Sequence, residues 1–219
     1  MIDFPRRSAV ASGALVLALL VAHAAWGQVR GIPVEVVGIP RGIGVAGEIG
    51  FPGDALGGGS AYGATALAGV GPLDLTATIA VHDPSAASSI TSYGGNLGVQ
   101  VVGGPLNPLS LTLQAGYGHW KTSGTGVSHL PLGLGIALTI PIPGIAIRPW
   151  LMPRADLTIA SAGGVSSTDA RFGISGGIDV TLLNGLGLRV SYDRIAASGQ
   201  DPTTLAFGIH YIFFKAPGR

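Results

Sequence analysis

Thr204-Leu205-Ala206-Phe207-Gly208-Ile209-His210-Tyr211-Ile212-Phe213-Phe214 alternates with a period of two. Leu205, Phe207, Ile209, Tyr211 and Phe213 fall on one face, with Ala206, Gly208 and His210 between them. Side chains of a strand point alternately to opposite faces, so the stretch reads as a β-strand with one continuous apolar face. Aromatics crowd that face near the strand's end, where a lipid-facing barrel strand meets the membrane interface. We therefore read it as the closing strand of a membrane barrel, which the rest of the chain must complete.

The composition agrees. Of 219 residues, 47% are hydrophobic and only 11% charged, well below the roughly 25% charged of soluble domains. One long apolar run exists, at the N-terminus; beyond it, 37 Gly and 15 Pro break any helical pattern. An apolar chain without repeated helical spans has one other way to cross a membrane, a closed barrel of strands. The net charge of +1 and the scattered basic residues argue against a nucleic-acid partner. The absence of cysteine excludes disulfides, thiolate metal sites and a lipidated N-terminal cysteine.

Residues 1–27 have the form of a signal peptide: Arg6-Arg7, an apolar run from Ala9 to Ala22, then Ala25-Trp26-Gly27 as a small-residue cleavage box. Residues 28–41, with Pro33 and Pro40, form a lead expected in the periplasm or folded into the barrel mouth. From residue 42 to the end, alternation recurs about ten times. Ile43, Val45 and Ile49 begin it; Leu73 to Val81 and Leu130 to Ile140 are its clearest runs. Pro149 and Pro153 interrupt the seventh strand, where a bulge or break is expected. Short turns such as Gly71-Pro72 and Asn184-Gly185 alternate with longer polar loops over 52–60, 83–92, 121–129, 160–170 and 197–203. That is the topology of a barrel with short periplasmic turns and long external loops. The fold class is all-β, a transmembrane antiparallel up-and-down β-barrel of about ten strands, with eight as the alternative.

The inward positions are mostly Gly, Ala, Ser and Thr, which suits a narrow lumen. Glu48, Arg148, Arg154, Asp156, Arg171, Asp179, Arg189 and Asp193 also fall on that side, with charges nearly balanced. Buried charges need partners, so these residues are expected to form a lumen charge network that holds the barrel's shape. No catalytic, cofactor or metal site is expected. His82, His119 and His129 read as histidines at loop rims, with Ser123 and Ser128 near them by position only. Tyr62, Tyr93, Tyr117 and Trp120 read as an interfacial girdle.

The leader, the ten alternating segments, the Val190-Ser191-Tyr192-Asp193-Arg194 stretch and the closing Ala206 to Phe214 resemble the outer membrane protein beta-barrel domain family, the small barrels related to the OmpA membrane domain and OmpX. The likeness covers residues 42–214. It implies a bacterial outer-membrane location, reached through a cleaved signal peptide. It implies lipopolysaccharide and outer-membrane lipid as surroundings, with periplasmic chaperones and the barrel assembly machinery as biogenesis partners. Phe207, Ile209, Tyr211, Phe213 and Phe214 would then carry the assembly signal, although Lys215 to Arg219 follow where that family ends on an aromatic. The role expected is structural or surface-interacting with a largely filled lumen. A narrow porin or solute channel, and a barrel enzyme acting on lipid or peptide, are the alternatives.

Overall fold

The structure, a computed structural model, describes residues 29–35, 42–104, 107–122, 124–163, 165–197 and 199–215. The proposed signal peptide lies outside the described residues, as do residues 36–41 of the lead. Eleven strand segments follow one another: β1 (Gly42–Pro52), β2 (Ser60–Val70), β3 (Leu73–Asp83), β4 (Ile90–Gly104), β5 (Asn107–Thr122), β6 (Thr125–Leu138), β7 (Ile140–Ile142), β8 (Ile145–Ala162), β9 (Val165–Leu182), β10 (Leu186–Ile195) and β11 (Thr203–Lys215). Neighbours pair antiparallel, β1 pairs with β11 and β6 with β8, so the sheet closes on itself.

The barrel has ten staves. The eleventh segment, β7, continues β6 beyond Thr139: Ala137 pairs with Trp150 and Ile140 with Ile147, in one unbroken register. The break follows from Pro149. That register puts Pro149 opposite Leu138, and proline has no N–H for the ladder. Pro153 acts alike: pairing with β6 lapses between Gly133–Arg154 and Ile136–Leu151. The expected break at the two prolines therefore falls on the β6 side, while β8 stays in register with β9 from Ile145 to Ala162.

Closure rests on the stretch that opened the reading. β11 pairs with β1 from Lys215–Gly42 to Thr204–Pro52, with one irregularity at Ile43/Gly44. Phe207 and Phe51 meet edge-on across this seam, ring centroids 6.2 Å apart at 74°, a geometry that aromatic quadrupoles favour. Ile49, Leu113, Ile178, Leu188, Phe207 and Ile209 are among the large apolar side chains exposed all around the wall. Such a continuous band marks a lipid-covered surface.

Two loops are shorter than expected. In place of loops over 121–129 and 160–170, β5 and β6 pair up to Thr122–Thr125, and β8 and β9 up to Ala162–Val165. Nothing in Ser161 to Thr168 forbids pairing, because the segment holds no proline and its Val165 and Thr168 are good strand formers. These hairpins rise beyond the apolar band. Segments 53–59, 84–89 and 196–202 remain genuine connections at the same end.

Candidate functional site

Residues 29–35 of the lead sit within the lumen. Residues 29–35 form no strand. They lie inside the barrel and not below it, and Val29, Ile32 and Val34 are buried. The physical reason is their composition: three aliphatic side chains in a segment that turns at Val29–Ile32 need apolar cover, and the small inward residues leave room for it. Ile32 and Val29 pack with Ala61 and Ala80, and Val34 packs with Ala137, Trp150 and Met152. Gly50 is needed for this fit, because a Cβ there would stand 2.0 Å from the carbonyl oxygen of Gly31.

Polar ties hold both ends of the segment. At the end carrying the long hairpins, Arg30 donates from Nε to His82 Nδ1 (3.1 Å) and from Nη2 to the Leu56 carbonyl (2.8 Å). His82 Nδ1 is thereby an acceptor, so its proton sits on Nε2, which donates to the Gly58 carbonyl at 2.8 Å. The backbone N–H of Arg30 donates to Ser92 Oγ (3.1 Å), and its guanidinium lies over the Trp120 ring, 6.0 Å from the centroid. Burial lowers the Arg30 pKa from its ordinary value. Deeper in the lumen, Gln114 Nε2 donates to the Glu35 carbonyl at 2.7 Å. The Glu35 carboxylate accepts from Arg189 Nη1.

Around this segment the inward charges sort into two groups. In the first, Arg189 donates from Nε to Asp179 and stands 4.0 Å from Glu48. Arg148 pairs opposite Asp179 across β8 and β9. In the second, nearer the mouth, Arg154 contacts Asp156 at 2.9 Å, Asp193 at 2.7 Å and Ser175 Oγ at 2.6 Å. His129 Nε2 lies 2.8 Å from Asp156. Gly173 makes space here, since a Cβ would meet Asp156 at 1.9 Å.

Seven of the eight residues expected in the lumen network, Glu48, Arg148, Arg154, Asp156, Asp179, Arg189 and Asp193, are buried inward. Arg171 is not among them. It shares their side of the strand, opposite Asp156 in the β8–β9 register, but is exposed and pairs with the equally exposed Asp169 at 2.5 Å. His82 and His129 stand near the mouth as expected but point inward and are buried, 0% and 3% exposed. Inward alternation carries each one into the barrel, and Arg30 and Asp156 supply the partners. Phe207, Ile209, Tyr211 and Phe213 project from the outer wall of β11, and Phe214 lies in the same strand. Gln114 falls on the inward face of its strand, as its alternation predicts, whereas Glu35 and Arg30 carry no such pattern. The available signal was a single arginine and a single glutamate flanking apolar residues in a segment with no other charge.

The outer wall carries a polar constellation near the ends of β5 and β6. His119 and Ser128 are register partners on β5 and β6. His119 Nδ1 lies 3.2 Å from Ser128 Oγ, which is also 2.9 Å from the Tyr117 hydroxyl. Tyr93 packs on the His119 ring, centroids 5.6 Å apart.

These features define a small β-barrel of the outer-membrane type. No protein-family model matches the chain, and no curated protein matches it in sequence. Among solved structures, the β domain of the Bordetella autotransporter BrkA is similar in fold: 15% identity and a TM-score of 0.51, over 78% of this chain and 98% of that one. Weaker likenesses include the outer-membrane enzyme PagL, with 13% identity and a TM-score of 0.40 over 77% of this chain and 98% of that one. The N-terminal barrel of Pseudomonas aeruginosa OprF has 10% identity and a TM-score of 0.39, over 80% of this chain and 98% of that one.

Proposed function

We propose that the protein is a plugged bacterial outer-membrane barrel with a structural or surface-interaction role. On this reading the chain is exported through a cleaved signal peptide at residues 1–27 and inserted by the barrel assembly machinery after handling by periplasmic chaperones. It resides among lipopolysaccharide and outer-membrane lipid, and presents its long hairpins and loops outward. The observation that carries the reading is the seating of Val29–Glu35 in the lumen, tied by Arg30 at the mouth and by Glu35 to Arg189 in depth. Backbone, three aliphatic side chains and paired charges within the lumen support a barrel that does not conduct. Reconstitution in planar bilayers tests it. The expected record is quiet, and steady channels of open-pore size would replace this reading with a narrow porin.

A second reading has one specific support. Ser128 Oγ within reach of His119 Nδ1 is a nucleophile beside a base, on the wall that faces the outer leaflet. Such a pair would suit hydrolysis of a lipid ester. No carboxylate orients His119 through any of these contacts, so the structural role is preferred. Mass spectrometry of lipid A from cells expressing the protein or its Ser128→Ala variant separates the two. An acyl loss that disappears in Ser128→Ala would establish the enzyme, and unchanged lipid A would dismiss it.

A further inference from the structure

The mouth of the barrel holds a cavity of about 200 Å³ beside the outer end of the lead. Arg30, Trp120, His129, Asp169, Arg171 and Asp193 contribute to its lining. Most of these charges are spoken for: Asp169 by Arg171 at 2.5 Å, Asp193 by Arg154 at 2.7 Å, and His129 by Asp156 at 2.8 Å. Arg30 differs. Its nitrogens Nε and Nη2 bind neutral acceptors, a histidine ring nitrogen and a carbonyl. Among the described residues it is the arginine with no carboxylate in ion-pair or Coulombic contact. Beside it, the indole Nε1 of Trp120 is buried and has no hydrogen-bond partner among the described residues. A partly desolvated guanidinium without a carboxylate and the indole that carries the orphan N–H therefore line one small cavity. A charge with no counter-charge and a buried donor with no acceptor both cost free energy, and a negatively charged oxygen acceptor relieves both.

We propose that this mouth cavity is a binding site for an oxyanion group, a phosphate or carboxylate carried by a small molecule, with Arg30 supplying the charge and the Trp120 N–H the second donor. The ion-paired Asp169 and Asp193 limit the site to a small group placed on the Arg30–Trp120 side. Because Arg30 belongs to the lead, an anion held there also fastens the lead in the lumen. The inference rests on the plugged-barrel reading in needing Arg30 seated at the mouth.

The test uses the full barrel in detergent micelles free of lipopolysaccharide, with 15N-labelled indole groups. Inorganic phosphate and acetate are titrated separately at constant ionic strength, with chloride as the control. The expected result is a saturable movement of one indole N–H signal, assigned to Trp120 by its loss in Trp120→Phe, with phosphate, acetate or both; the active anion defines the class. Arg30→Gln should weaken the binding about tenfold or more, the scale of a lost charge-assisted hydrogen bond. Calorimetry of Trp120→Phe, which keeps an aromatic ring and removes the N–H, should show weaker binding with the fold intact. A response equal to that of chloride, an adventitious ion only, or no saturable response overturns the site, as does full affinity in Arg30→Gln. Conductance on the same wild-type sample separates the failures: a quiet barrel without anion binding refutes the site alone, whereas a conducting barrel refutes the plug beneath it.

Discussion

Replacing Arg154 with alanine tests whether the lumen charges hold the barrel together. The side chain is 3% exposed and engages Asp156, Asp193 and Ser175 at 2.9, 2.7 and 2.6 Å. Arg154→Ala leaves two buried carboxylates facing one another, with His129 beside Asp156 as the remaining cation source. Breaking a buried pair by removing one partner costs about 3–5 kcal/mol. The lost bond to Ser175 adds about 1 kcal/mol. Some relief comes from protonation of a carboxylate, so a net loss of about 3–5 kcal/mol is expected. For a chain of this size, each kcal/mol moves the midpoint by about 2–4 °C, which gives a fall of about 6–20 °C. Urea unfolding in lipid vesicles measures the energy, and heat-modifiable migration on gels measures the midpoint. The bilayer record should remain quiet, because the lead still occupies the lumen. A loss below about 1 kcal/mol, the value of a solvated pair, would refute the view of Arg154 as a buried keystone. Steady conductance in Arg154→Ala would show that this cluster, and not the lead, is what closes the lumen.

Three further outcomes follow from the same geometry. Gly50→Val should unseat the lead, because even a Cβ would stand 2.0 Å from the Gly31 carbonyl oxygen; bilayer recordings should change from quiet to conducting, and unchanged silence would contradict the fit described. Arg30→Cys should react with a membrane-impermeant maleimide applied to intact cells, since Arg30 lies with Leu56, His82 and Trp120 at the hairpin end; labelling only after the outer membrane is permeabilised would invert the orientation. Asp201, in the loop between β10 and β11, accepts from the Ala197 N–H at 2.8 Å and from Arg194, and these contacts lower its pKa. A lowered folded pKa means that the loop's stabilisation is present above the unfolded value of about 3.9 and is lost as pH falls through the folded one; carboxyl NMR should show Asp201 titrating below free aspartate, and titration at or above it would remove the contact.

The wall of this protein is legible in its sequence because a sheet between lipid and a narrow lumen permits one solution. Apolar residues must point out and small or paired residues in, so Leu73 to Val81 and Leu205 to Phe213 declare their faces without reference to neighbours. The inward set of charges follows from the same period of two, which is why Arg154, Asp156, Asp179 and Arg189 could be named together. Height above the membrane is a different matter. Alternation continues along β9 past the rim, so Arg171 shares a face with Asp179 yet stands in solvent beside Asp169. Loop length is illegible for the same reason: Ser161, Ser166, Ser167 and Thr168 are polar, and polarity looks alike in a loop and in a hairpin above the lipid. The lead was least legible. Val29, Ile32 and Val34 have neither strand nor helix period, and their burial depends on a cavity that exists only after ten strands have closed. His119 and Ser128 show the same limit, since cross-strand register brings together residues that no local pattern relates.

The most direct test of a lumen filled by its own lead is a methyl NOE measurement on the barrel in detergent. Val34 packs against Met152, Ala137 and Trp150. A seated lead predicts cross-peaks between the Val34 methyls and the Met152 Cε methyl, with Val34 shifted by the Trp150 ring. Val34 methyls at random-coil positions, without contacts to Met152 or Trp150, would contradict it.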